Sequence, residues 1–134
     1  MRLDNSTHDA QGQLKQGFLQ GHFQNGQLAW EGNYVDGQRQ GEWKIYFKNG
    51  QLQAQGHFEA GQMVGMWKFW AESGTLAEEG AYAQGARTGM WRRYRPQGQL
   101  HEEGTYAGET KVGTWTSYGS NGQVSKVKHY PAQG

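Results

Sequence analysis

The sequence predicts an all-β repeat protein, a single-layer twisted antiparallel meander of about five stacked 24-residue β-hairpins. Three observations predict it. Tryptophan recurs at Trp43, Trp67, Trp91 and Trp115, spaced by 24 without a slip. Glycine stands two residues before each of them and returns in phase further along the unit. A turn dipeptide then separates two aromatic- or Leu-bearing runs in every unit. Internal periods of this length are the signature of repeat architectures.

Gly17, Gly41, Gly65, Gly89 and Gly113 open the five units, and Leu19 takes the tryptophan place in the first. The column after the tryptophans holds Tyr46, Trp70, Tyr94 and Tyr118, with His22 in the first copy. Leu28, Leu52, Leu76, Leu100 and Val124 follow, then Gly32, Gly56, Gly80 and Gly104, with Lys128 breaking the series. Tyr34, Phe58, Tyr82, Tyr106 and Tyr130 end each unit's second run. Asn25-Gly26, Asn49-Gly50, Ser73-Gly74, Gln97-Gly98 and Asn121-Gly122 mark tight hairpins, because glycine reaches positive φ without steric cost. A second turn around Gly37, Gly61 and Gly85 separates the units. Helices are excluded, since each glycine costs about 1 kcal/mol in a helix interior. Residues 17–130 therefore form the repeat domain, residues 1–16 a polar tail or degenerate cap, and residues 131–134 a C-terminal tail. Lys126, Lys128 and Pro131 suit an exposed edge strand that must not pair further.

One residue speaks to the strand register. A two-residue loop at Asn49-Gly50 pairs Phe47 with Leu52 and Trp43 with Gly56. A type I turn ending in a left-handed Gly50 pairs Tyr46 with Leu52 instead. Pro96 occupies the place of Lys48, and proline suits the first central position of a type I turn. In the two-residue loop the same residue must donate a backbone hydrogen bond, which proline lacks. The bulged turn is preferred, and under it Lys68 faces Glu78 and Arg92 faces Glu102. Exposed cross-strand ion pairs of this kind contribute well under ~1 kcal/mol each.

Composition narrows the function. Thirteen Lys and Arg against twelve Asp and Glu leave a net charge of +1, so there is no long-range field for nucleic acid. Cysteine is absent, which removes disulfides and thiolate metal sites. No window approaches a membrane-spanning stretch, and the polar N-terminus reads as that of a cytoplasmic protein. His8, His22, His57, His101 and His129 lack metal-site spacing. Glu78-Glu79 and Glu102-Glu103 are adjacent in strands, so each doublet splits across the two faces and forms no acid–base pair. The serines lack a nucleophile-elbow context. No catalytic, cofactor or metal site is expected.

The unit G-x-W-x-x-Y-x-x-N-G-x-L, with a later G-x-Y and a closing glycine, resembles the MORN repeat. It is similar above all to the longer bacterial variant found in antitoxin-like and immunity-type proteins, best in units 41–64, 65–88 and 89–112. The resemblance implies a sheet of stacked hairpins with an aromatic-lined groove. It further implies protein scaffolding, toxin neutralisation or membrane association, and supplies no catalytic residues. The expected function is a non-catalytic protein–protein interaction module, an antitoxin or immunity protein that occludes a toxin. Lipid association is one alternative, and a glycan- or peptide-binding aromatic groove another. A partner surface needs variety where a scaffold needs sameness, so partner contacts are expected at Ile45, Phe47, Phe69, Trp70, Arg93 and Arg95.

Overall fold

Two kinds of glycine turn organise the chain. The computed structural model describes residues 3–132. Met1, Arg2, Gln133 and Gly134, the outer ends of the two predicted tail segments, lie outside the described residues. Ten strands follow one another: β1 (Gly17–His22), β2 (Leu28–Val35), β3 (Gln38–Tyr46), β4 (Leu52–Glu59), β5 (Gln62–Trp70), β6 (Leu76–Ala83), β7 (Ala86–Tyr94), β8 (Leu100–Ala107), β9 (Thr110–Tyr118) and β10 (Val124–Tyr130). They form one open sheet in chain order, every neighbour antiparallel, which is the predicted meander.

The turn between β3 and β4 is the bulged one. The Gly50 N–H donates to the Phe47 carbonyl at 3.0 Å and the Phe47 N–H to the Gln51 carbonyl at 2.8 Å. Gly50 is left-handed at φ +89°, and Tyr46 sits opposite Leu52. Arg95 repeats both bonds with Gly98 and Gln99, so Pro96 takes the first central position as expected. The other turns are tighter. Asp36-Gly37, Ala60-Gly61 and Gln84-Gly85 have positive φ at both residues, the type I′ geometry that matches strand twist.

The predicted ion pairs are corrected. Directly after Leu52 the ladder slips by one residue, so Ile45 faces Ala54 and Trp43 faces Gly56. The same slip places Lys68 opposite Glu79 and Arg92 opposite Glu103, where Glu78 and Glu102 were expected. The turn thus sets only the first pair. Across the tighter turns the strands meet through a flat contact between tryptophan and glycine. A Cβ on Gly32, Gly56, Gly80 or Gly104 would overlap the indole of Trp43, Trp67, Trp91 or Trp115 on the next strand. Each indole N–H also donates to a backbone carbonyl beside that glycine, as Trp67 does to His57 at 3.1 Å. Lys128 stands where the glycine column ends, in β10, over which no further strand lies among the described residues.

A single sheet has no second layer, so its core is one stripe of rings on one face. Trp43 and Trp67 are fully buried, and Trp91 and Trp115 nearly so. The rings meet edge to face in sequence: Tyr34–Trp43 at 5.2 Å, Trp43–Phe58 at 5.7 Å, Phe58–Trp67 at 5.1 Å, and onward through Tyr82, Trp91 and Tyr106 to Trp115. Such contacts add about 0.5–1.5 kcal/mol each beyond area burial. At the N-terminal end a small hairpin joins Thr7 to Lys15, and the Gly37 N–H donates to the Lys15 carbonyl at 2.9 Å. Leu3 packs against the aromatic core ahead of it.

Candidate binding surface

Strand alternation gives the sheet two chemically different faces. On the face opposite the tryptophans, each tyrosine hydroxyl donates to a carboxylate of the preceding unit. Tyr46 reaches Glu31 at 2.6 Å, Tyr118 reaches Glu103 at 2.6 Å, and Tyr94 reaches Glu79. Burial first, and then the carboxylate bond, push the Tyr46 and Tyr94 phenols up to about 12. The same bond from Tyr46 holds the Glu31 carboxyl below its ordinary value. The unit starting at Gly65 departs from this pattern at both partners, with Trp70 for tyrosine and Gln55 for glutamate. Gln55 turns to Glu42 instead, its Nε2 donating at 2.9 Å. This paired exchange is visible in the sequence at a separation of 15 residues, and single-column reading misses it.

The aromatic face changes character along the sheet. Two residues after each tryptophan come Ile45, Phe69, Arg93 and Ser117; facing them across the ladder are Trp30, Ala54, Glu78 and Glu102. Ile45 is 3% exposed and belongs to the core, which removes it as a free contact. Phe69 is half-buried and stacks between Trp67 at 6.0 Å and Trp91 at 6.3 Å. Arg93 is exposed and pairs with Glu102 at 3.1 Å. Phe47 and Arg95 lie at the bulged-turn edge, where an Arg95 Nη2 donates to the Tyr118 carbonyl at 2.8 Å. Trp70 is half-buried on the other face. Of the six expected contacts, Ile45, Phe69 and Arg93 share one column, Phe47 and Arg95 another at the turn edge, and Trp70 stands on the opposite face.

A further column escapes single-residue inspection. Lys15, Arg39, Met63, Arg87 and Lys111 recur every 24 residues, and four of the five are cationic. Lys15 lies 5.2 Å from the Tyr34 ring centre, Arg39 5.3 Å from Trp43, Arg87 4.3 Å from Tyr106 and Lys111 4.4 Å from Trp115. Cations in such places draw on the ring quadrupole. Arg87 and Lys111 border a cleft of about 90 Å³ with Glu78, Arg93, Glu102 and Tyr106.

These stacked hairpins, held by tryptophan on glycine, define an all-β repeat protein built as an open sheet. The family model described as the MORN repeat variant matches residues 39–60 and 87–107, so there the chain is similar to that repeat. MORN repeats in general serve as protein- or membrane-interaction modules. No curated protein matches the chain. Among the described residues no group of three His, Cys, Asp or Glu is placed to hold a metal, and no helix is long and apolar enough to cross a membrane.

Proposed function

We propose that the protein is a non-catalytic protein-binding module, acting as an antitoxin or immunity protein that occludes its partner. One observation carries this reading: the scaffold columns repeat while the column two residues after the tryptophans on the aromatic face does not. Tryptophan, glycine and the edge-on rings recur in phase, but the neighbouring column runs Ile45, Phe69, Arg93, Ser117. A sheet under selection for packing alone has no need of that gradient. Its exposed part, Arg93 with Phe69 behind it, has the Arg-plus-aromatic chemistry of an interface anchor. A glycan platform is less well supported, because Trp43, Trp67, Trp91 and Trp115 are consumed by the core and offer no free ring face. The test is a tagged pull-down from host lysate with mass-spectrometric readout. A single stoichiometric partner supports the reading, and expressing that partner alone, with and without this protein, tests the antitoxin role by growth. If nothing but anionic lipid is captured, the protein-binding reading fails in favour of membrane association.

A further inference from the structure

The first two cations of the recurrent column are already occupied, and by this chain itself. Residues Leu3 to Ser6 run across the N-terminal end of the aromatic face. Leu3 packs on the ring core, an Asp4 carboxylate oxygen lies 3.5 Å from Lys15 Nζ, and the Asp4 carbonyl accepts from Arg39 Nη2. Lys15 Nζ also donates to Ser6 Oγ at 2.8 Å. An apolar residue followed by a carboxylate is therefore held by a Lys and an Arg one period apart, both seated over rings.

Met63 interrupts the column, and then the same pair returns in reverse order as Arg87 and Lys111. Both again lie over rings, and the cleft between them has no segment of this chain across it among the described residues. Arg87 gives its Nε to Glu109 Oε2 at 2.9 Å, while its Nη nitrogens donate no hydrogen bond among the described residues. Lys111 has one long contact, 3.7 Å to Glu102. Lys126 and Lys128 line the adjoining hollow beside Trp115, so cations outnumber carboxylates at this end of the face. The charge balance favours an anionic ligand.

We propose that the Arg87–Lys111 cleft binds an extended acidic segment of a partner protein, an apolar residue next to an Asp or Glu, as the chain's own Leu3-Asp4 is bound at Lys15 and Arg39. The inference rests on the protein-binding reading and deepens it. A main chain lying over the rings suits the cleft better than a lipid surface, because the internal example uses a backbone carbonyl and an apolar side chain as well as the carboxylate.

The test is fluorescence anisotropy with the full chain and a short fluorescein-labelled peptide built of Leu-Asp pairs, compared with its Leu-Asn counterpart. The acidic peptide should bind about tenfold or more tightly than the neutral one, the difference expected from charge-assisted hydrogen bonds. The Arg87→Glu, Lys111→Glu double variant should lose that difference, whereas Lys68→Glu on the opposite face should keep it. Arg87 also packs on Tyr106, so the Arg87→Gln and Lys111→Gln chains are followed by thermal unfolding. Weakened binding at an unchanged Tm carries the proposal. Equal affinity for both peptides overturns it, as does an equal loss in Lys68→Glu. Binding to phosphatidylserine vesicles without peptide binding overturns it too, as does a dimer through this cleft seen by light scattering. A stoichiometric partner whose capture ignores both the double variant and excess peptide leaves the protein-binding reading standing and removes this inference.

Discussion

At the residue scale the positions of Gly56 and Gly41 favour glycine for different reasons, and substitution separates them. A Cβ on Gly56 would overlap the Trp67 indole, while one on Gly41 meets nothing within 4 Å but must accept φ +80°. Gly56→Ala should cost about 1–3 kcal/mol by overpacking and should shift the tryptophan near-ultraviolet signal, since the ring must move. Gly41→Ala should cost about 1–2 kcal/mol from left-handed backbone alone and leave that signal as it was. Urea unfolding with near-ultraviolet circular dichroism checks both. The tyrosine–carboxylate ladder gives a pH prediction of two signs. Tyr46 and Tyr94 titrate near 12 when folded against 10.0 ordinarily, because burial and then the carboxylate bond favour the protonated phenol. Their contribution is whole below pH 10 and is lost as pH rises towards 12. The Tyr46 hydroxyl holds Glu31 below its ordinary 4.5, so its contribution is whole above that value and is lost as pH falls through the lowered one. Urea midpoints should therefore decline on both flanks. The Tyr46→Phe, Tyr94→Phe double variant should flatten the alkaline limb, and an unaltered limb would show that the ladder is not its source.

Turns are the elements on which sequence reasoning worked best, and Lys48→Pro tests the reason. Pro96 shows that the first central position of the bulged turn accepts proline, and the Lys48 N–H donates to no backbone carbonyl in the corresponding turn. Lys48→Pro should stabilise by about 0.4–1 kcal/mol by restricting the unfolded chain, raising the urea midpoint with the slope unchanged. The sign of φ is a local property, so Asn49-Gly50 and Pro96 announce their turn without knowledge of the rest of the molecule. Register past Leu52 is not local. The one-residue slip that brings Trp43 opposite Gly56 leaves no turn residue to betray it, and the flat contact of Trp67 on Gly56 lies across the following turn. The candidate surface was legible to the same limit. Variation along Ile45, Phe69 and Arg93 was visible, but whether a varying residue faces a partner or the core depends on what lies across the ladder. Ile45 faces Ala54 and is buried, whereas Arg93 faces Glu102 and is exposed. The cation column was equally visible at 24-residue spacing, yet its meaning needed the ring beneath each charge and the Asp4 above the first.

At the scale of the whole molecule, every strand pairs only with its neighbours in sequence, and each ring of the stripe meets rings no further than two strands away. Stability in such a structure approximates a sum of unit and interface contributions, with nothing that spans the whole. Removing residues 65–88 should then leave a folded protein, because the cut preserves phase. Gly89 follows Val64 as Gly65 did, Trp91 comes to lie over Gly56 in place of Trp67, and Phe58 meets it edge-on. Unfolding should stay cooperative with a urea slope about one fifth lower, since the slope follows the surface exposed. Removing residues 65–87 instead leaves Thr88 as one extra residue. Side chains alternate with a period of two, so that single residue turns the following strand over and sends Trp91 to the wrong face. This second chain should show no cooperative transition. Deletions differing by one residue have almost the same composition and length, so only the phase of the ladder distinguishes them. Equal folding of the two would mean that the 24-residue period is a feature of the sequence which the sheet does not need.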